Sequence, residues 1–149
     1  MKTDLVVGAY VFDKDKVLLI HHKKRNTWLP VGGHIEKDET TDHAIRREVK
    51  EETGLDIELL NHSDVRISGT TVENLASPFY VNVHNVGDHN HCCFFYLAKA
   101  LNPTQLKINN ELNNAEWFTE GMLLEGRVPD DVCDIGLKAF DEYRKIRNP

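Results

Sequence analysis

The sequence predicts a mixed α/β sandwich formed by a single domain, residues 1–149. Runs of β-branched and aromatic residues, typical of strands, lie on both sides of a central amphipathic helix, and a second amphipathic helix follows near the end of the chain. A chain of 149 residues is also long enough to bury roughly two-thirds of its unfolded surface. We therefore expect one sheet with a substantial core.

The first part of the chain predicts a β-hairpin followed by a broken strand. Residues 5–12 (LVVGAYVF) and 17–22 (VLLIHH) have strand composition, and the polar sequence DKDK separates them as a turn. After a basic loop, residues 28–36 (WLPVGGHIE) contain a proline and a glycine pair. These residues favour a short strand interrupted by a tight turn.

The central helix has recognisable start and stop signals. Thr40 is a candidate N-cap, Ala44, Ile45 and Val49 follow with helical spacing, and Gly54 is a candidate terminator.

The remaining chain predicts further strands and the terminal helix: 55–60 (LDIELL) and 92–101 (CCFFYLAKAL) as strands, 115–119 (AEWFT) as a short strand or turn, and 133–146 as an amphipathic helix. The middle has a weaker pattern. There, residues 64–72 and 78–86 are candidate strands on either side of a variable loop.

Composition narrows the classes of partner. A net charge of −6 argues against general affinity for nucleic acid or anionic membranes, and no apolar run approaches the roughly 18 residues that span a bilayer. Three cysteines, two of them adjacent, do not suggest a disulfide framework. We expect a cytoplasmic protein with a small-molecule partner and with no nucleic-acid or membrane partner. The sequence leaves open whether the chain forms a homodimer.

The central helix carries an unusual set of acidic residues. Glu48 and Glu52 share one helix face, Glu51 lies beside them, and we call these three residues the helix glutamates. Glu48 falls within the apolar stripe, where an unpaired carboxylate is costly. Because converging oxygen ligands at a partly buried edge suit Mg²⁺ or Mn²⁺, a metal site is favoured over a solvated helix face.

The spacing of the fixed residues in this region is diagnostic. Five residues separate Gly33 from Glu39, and seven residues separate Glu39 from Arg47. The continuous sequence REVKEETGL, residues 47–55, then contains Arg47, the three helix glutamates, Gly54 and Leu55. This pattern resembles the Nudix box, G-x5-E-x7-R-E-U-x-E-E-x-G-U with U apolar, without a departure. The chain is therefore identified as resembling the Nudix hydrolase family of MutT-like nucleoside diphosphate-X pyrophosphohydrolases, whose fold is an α/β/α sandwich with a mixed central sheet.

The resemblance implies a reaction and a set of roles. Family members hydrolyse the pyrophosphate linkage of nucleoside diphosphate derivatives with a divalent metal, by attack of water on phosphorus. By resemblance, the helix glutamates and the backbone carbonyl of Gly33 would bind Mg²⁺ (or Mn²⁺). Arg47 would orient the glutamates, and Glu39 would fix the geometry between loop and helix. Glu111 is the candidate for a further acidic residue that acts as base or metal ligand, with an exposed loop glutamate as an equal alternative.

Other clusters have simpler interpretations. The sequence around His89, His91, Cys92 and Cys93 does not match a usual structural zinc pattern, because the other half of a four-ligand site is missing. We therefore expect no structural zinc there, although His89 or His91 could face substrate phosphates. The basic residues 21–25 are interpreted as a solvated patch in preference to a phosphate contact.

Sequence markers of particular substrates are absent. The proline and tyrosine typical of ADP-ribose and diadenosine polyphosphate hydrolases are displaced in this chain, where Pro78 and Tyr80 come too late. A nucleoside triphosphate, an ADP-ribose-like compound and a nucleotide sugar all stay open. The alternatives to hydrolysis are a nucleotide-sensing domain and an isomerase on the same fold, and the intact box speaks against both.

Overall fold

The computed structural model describes residues 1–147, and within that range eight strands form one mixed sheet. The strands are β1 Thr3–Asp13, β2 Lys16–His22, β3 Thr27–Leu29, β4 Val31–His34, β5 Ile57–Leu59, β6 Tyr80–Asn85, β7 Asn90–Ala100 and β8 Leu112–Thr119. The helices are α1 Thr41–Thr53, α2 Glu120–Leu123 and α3 Asp130–Arg147, with a 3₁₀ turn at Pro103–Gln105. The predicted domain, residues 1–149, includes two residues that lie outside the described range.

The long strands β1 and β7 form the middle of the sheet. They pair in parallel, whereas β2 and β4 pair antiparallel with β1, and β5 and β6 pair antiparallel with β7. The strand order is β3-β2-β1-β7-β5; in addition β4 pairs with β1, β6 with β7 and β8 with β2. Because parallel and antiparallel pairs are both present, the sheet is mixed. The predicted fold class is confirmed.

The alternation of side chains along β1 divides the core between the two faces of the sheet. Val7, Ala9 and Val11 pack in the cluster that contains Ala44, Ile45 and Val49 of α1. Tyr10 and Phe12 pack in the second cluster, with Val132, Ala139 and Phe140 of α3. One helix therefore covers each face, and the three-layer arrangement results.

The ends of α1 follow the signals in its sequence. The Thr40 hydroxyl accepts a hydrogen bond from the His43 backbone N–H at 3.1 Å. At the other end Gly54 has a left-handed φ of 73° and donates its backbone N–H to the Lys50 carbonyl. A residue with a Cβ is disfavoured in that conformation, so glycine is the natural terminator.

Several element boundaries differ from the predictions. The candidate strand at residues 64–72 is wrong: this segment contains a turn, with the Thr71 N–H bonded to Ser68 O, and it leaves Val65, Ile67 and Val72 exposed. β-Branched residues favour strands only where a partner edge and a buried face are available. The last strand begins at Leu112, earlier than expected, because pairing with β2 extends it.

Among residues 1–147, no helix is both long and apolar enough to cross a membrane.

Candidate active site

The glycine pair of β4 brings the backbone close to the helix glutamates. Gly33 pairs with Val7 of β1, and the Gly32 N–H donates to Glu52 Oε1 at 3.2 Å. A Cβ added to Gly33 would lie 2.5 Å from both carboxylate oxygens of Glu48. The absence of a side chain at Gly33 is therefore what allows the Glu48 carboxylate to lie against the strand.

The helix glutamates differ in burial. Glu52 is 3% exposed, while the side chains of Glu48 and Glu51 are 16% and 56% exposed. The sequence had placed Glu48 in the apolar stripe, but Glu52 is the more deeply buried of the two. Glu52 follows buried Val49 by three residues, so it lies on the same side of α1 one turn later.

Arg47 connects the loop to the helix glutamates. Its Nε and Nη2 donate to the two oxygens of Glu39 at 2.7 and 2.9 Å, a bidentate pair. Its Nη1 donates to Glu48 Oε1 at 2.9 Å and to Glu51 Oε2 at 3.3 Å, and Nη2 also donates to the His34 carbonyl at 3.0 Å. One guanidinium group therefore connects Glu39, two of the helix glutamates and the backbone of β4.

Glu111 and His22 lie close to the buried helix glutamate Glu52. Ligand atoms of His22, Glu52 and Glu111 all lie within 4.8 Å of one another. His22 ends β2, opposite Leu112 of β8, and this pairing brings the Glu111 loop to the site. The sequence predicted His22 only as part of a solvated basic patch, and its position at the end of a predicted strand was the available signal.

A cavity of about 1050 Å³ runs beside these residues. It is lined by the helix glutamates, Glu111 and His22, by the basic residues Lys23, Lys24 and Arg25, and by apolar side chains that include Leu29 and Phe95. The basic residues are exposed, as the solvated interpretation expects, but they also border this cavity. The site can therefore offer positive charge, negative charge and an apolar wall to one ligand.

Comparison with known proteins identifies the family. A model of the NUDIX domain matches residues 2–132. The chain belongs to the NUDIX family. It is similar to a NUDIX-family hydrolase from Clostridium perfringens, with a TM-score of 0.83 and 29% identity over 96% of this chain and 99% of that one.

Two curated relatives of this NUDIX chain are longer proteins. The NAD-capped RNA hydrolase NudC of Vibrio atlanticus (strain LGP32) is 30% identical over 110 residues, which cover 72% of this chain and 34% of that protein. The human 8-oxo-dGDP phosphatase NUDT18 is 40% identical over 57 residues, or 36% of this chain and 18% of that one. The chain thus matches only about a third or less of these relatives' length.

NUDIX enzymes generally depend on a divalent metal, and the electrostatics of this site fit one. Burial, together with the charge of Glu48, raises the pKa of Glu52 to about 8. Burial also raises the pKa of Glu48, although Arg47 opposes the shift. The carboxylates are thus held close together without enough positive charge to keep all of them ionised, and oxygen ligands of this kind suit Mg²⁺ or Mn²⁺.

The pair formed by Glu39 and Arg47 should set the acid stability of the NUDIX domain. Hydrogen bonds from Arg47 lower the pKa of Glu39 to about 2, and its side chain is only 4% exposed. Stability from this carboxylate is present above its ordinary pKa of 4.5 and is lost as the pH falls through about 2. We expect Glu39→Gln to lower the free energy of unfolding by roughly 2 kcal/mol at neutral pH, with the difference from wild type vanishing near pH 2.

Urea unfolding of the metal-free proteins at a series of pH values measures this difference. Glu36→Gln is the matched control, because Glu36 is an exposed carboxylate 3.7 Å from the same arginine and should change stability by less than about 0.5 kcal/mol. A Glu39→Gln protein as stable as the control at neutral pH would contradict the assignment.

Proposed function

We propose that the chain is a metal-dependent pyrophosphohydrolase that cleaves the pyrophosphate linkage of a nucleoside diphosphate derivative by attack of water on phosphorus. The observation that supports this most directly is the convergence of Glu48 and Glu52 on the Gly32–Gly33 backbone, with Arg47 orienting the carboxylates. Family membership supplies the reaction class, since the similar proteins are hydrolases of nucleotide derivatives.

The residues divide the chemical work. The helix glutamates and the Gly33 carbonyl would hold the Mg²⁺ or Mn²⁺. When bound, such an ion neutralises phosphate charge and makes the attacking water more acidic. Glu111 would accept the proton of that water as its oxygen bonds to phosphorus and the bridging P–O bond breaks. Lys23 and Arg25, which border the same cavity, would bind the phosphate that leaves.

The cavity supports a nucleotide-sized ligand. Its volume of about 1050 Å³ is at the upper end of small-molecule sites, which are roughly 300–1,000 Å³. Leu29 and Phe95 line it together with the charged residues. An apolar wall would hold a nucleobase or nicotinamide ring, while the phosphates extend toward the carboxylates.

A panel of substrates tests the proposal. Phosphate or nucleotide release is measured with nucleoside triphosphates, ADP-ribose, nucleotide sugars, dinucleoside polyphosphates, NAD and NAD-capped RNA, each with Mg²⁺, with Mn²⁺ and with chelator. We expect metal-dependent turnover of one small-molecule class, because the net charge of −6 disfavours RNA. Binding of a nucleotide without turnover across the panel would instead indicate a sensing domain.

Replacing Glu111 tests the assignment of the base. We expect Glu111→Gln to lower kcat by about 100-fold, since general-base catalysis contributes roughly 10²–10⁴-fold. Steady-state kinetics measures this decrease. Glu73→Gln, which changes an exposed loop glutamate, is the control. If Glu111→Gln lowers kcat by less than tenfold, Glu111 is an exposed loop glutamate and not the base.

A further inference from the structure

A second group of potential metal-binding side chains lies beside the carboxylate site. One ligand atom from each of Asp4, His34, His89 and His91 lies within 4.8 Å of all the others. We call these four residues the histidine cluster. His34 and His91 line the same cavity as the helix glutamates, but the pyrophosphohydrolase chemistry proposed above assigns no role to any of the four side chains.

Strand register brings the cluster together from distant parts of the chain. Asp4 of β1 is opposite His91 of the parallel strand β7, and Val6, two residues after Asp4, is opposite His34 of β4. Because alternate residues share a face, Asp4, His91 and His34 are on the same side of the sheet. His89 reaches the group from the turn between β6 and β7.

Three of the six distances between these atoms are close to those of a tetrahedral metal site. Asp4 Oδ2 lies 3.1 Å from His34 Nε2 and 3.4 Å from His89 Nε2, and the Nε2 atoms of His89 and His91 are 3.2 Å apart. Tetrahedral zinc with ligand bonds of roughly 2.0–2.1 Å separates its ligand atoms by about 3.4 Å. Lys2 contacts the other oxygen of Asp4, Oδ1, at 3.4 Å, so Oδ2 faces the histidines.

A carboxylate orients the His89 ring. His89 Nδ1 is 2.6 Å from Asp88 Oδ1, and its Nε2 faces the Asp4 carboxylate and His91. A carboxylate that holds the far nitrogen of a histidine in this way is the usual partner of a metal-binding imidazole.

His91 is held firmly among the other ligands. It is 8% exposed, its Nε2 lies 3.2 Å from His89 Nε2, and its ring packs edge-on against that of His34 with the centroids 5.2 Å apart.

We propose that Asp4, His34, His89 and His91 form a closed, four-ligand Zn²⁺ site, with Asp88 orienting His89. Three imidazole nitrogens and one carboxylate are ligands that Zn²⁺ accepts in tetrahedral geometry. From the sequence, no structural zinc was expected near His89 and His91, because half of a four-ligand site is missing there. The fold supplies that half from Asp4 and His34, and the adjacent cysteines are not part of it.

The site would join β1, β4 and the β6–β7 turn. His34 follows Gly33 directly, and its carbonyl accepts from Arg47, so an ion held by the His34 ring would also stabilise the strand that carries Gly33. We therefore expect Zn²⁺ to raise the melting temperature of the metal-stripped protein, whether or not a nucleotide substrate is found.

Zinc titration in a large excess of Mg²⁺ tests this site separately from the carboxylate site. The excess Mg²⁺ occupies the oxygen ligands but competes poorly for imidazole, so the titrations use the His22→Ala background, which removes the imidazole beside Glu52 and Glu111. We expect calorimetry to give one equivalent of bound Zn²⁺ per chain, and Co²⁺ to give the intense visible absorption of tetrahedral coordination. His34→Ala and His89→Ala should abolish both signals, and Asp88→Asn should weaken Zn²⁺ binding by roughly 10-fold or more.

Control variants distinguish Zn²⁺ held by the histidine cluster from Zn²⁺ held by the cysteines or by exposed histidines. His34 and His89 are partly exposed, so their variants should stay folded by circular dichroism, and His62→Ala, which removes an exposed histidine elsewhere, should bind as wild type does. No Zn²⁺ binding in excess Mg²⁺ would overturn the proposal. So would binding that survives in His34→Ala and His89→Ala, or a thiolate–Co²⁺ charge-transfer band that disappears in Cys92→Ser.

Discussion

Replacing Glu52 with glutamine is expected to lower kcat by at least about 100-fold while leaving the fold intact. Glu52 is the most buried of the helix glutamates, and its charge would be needed to hold a metal that stabilises the transition state. A glutamine has the same shape and keeps an oxygen to accept from the Gly32 N–H. Steady-state kinetics and Mg²⁺ titration on the same samples measure the loss.

The same substitution has a separate effect on stability. Because the pKa of Glu52 is raised to about 8 in the folded chain, the metal-free protein should lose stability as the pH rises from about 4.5 toward 8. Glu52→Gln should remove this slope. Glu125→Gln, at an exposed glutamate, should retain both the slope and the activity, and near-normal kcat in folded Glu52→Gln would remove Glu52 from the site.

Replacing Gly33 with alanine is expected to abolish most activity without unfolding the protein. The new Cβ would lie 2.5 Å from both carboxylate oxygens of Glu48. A carboxylate at the end of a flexible side chain can move away, so the free energy of unfolding should change little. Its displacement by about 1 Å should lower kcat/KM by roughly 100-fold.

Gly32→Ala is the matched comparison, because the two glycines are adjacent but face different atoms. A Cβ at Gly32 would overlap the Val7 carbonyl oxygen and lie 2.9 Å from Gly8 Cα, and these backbone atoms cannot move independently. We expect it to destabilise the fold by roughly 1–3 kcal/mol, visible in urea unfolding. If Gly33→Ala instead unfolds the protein as readily and retains kcat/KM when folded, the geometry assigned to Glu48 is wrong.

Local signals predicted much of the fold. The cap at Thr40, the terminator at Gly54 and the apolar spacing of α1 are short-range features, and the structure confirms each. The strand predicted at residues 64–72 is wrong, because a pattern of β-branched residues indicates strand propensity but not whether a partner strand is available. No part of residues 1–147 pairs with that segment as a strand, so its apolar side chains stay exposed.

The candidate site likewise contains residues that local sequence identifies and residues that only the fold brings to it. The spacing of Gly33, Glu39, Arg47 and the helix glutamates is contained in one continuous stretch, so it could be recognised from the sequence. His22 belongs to another strand, and its approach to Glu52 and Glu111 depends on the pairing of β2 with β8. That pairing is a long-range contact, which single-residue patterns do not encode.

The sequence by itself determined the family and the central helix, and it supplied the residues proposed to hold a divalent metal, because all of these depend on spacing within 23 consecutive residues, 33–55. Only the tertiary structure decided that Glu52 is the most buried carboxylate and that His22 joins the site. It also brought Asp4 and His34 to His89 and His91. The physical reason is that strand register, set by the packing of the whole sheet, determines which distant side chains share a face.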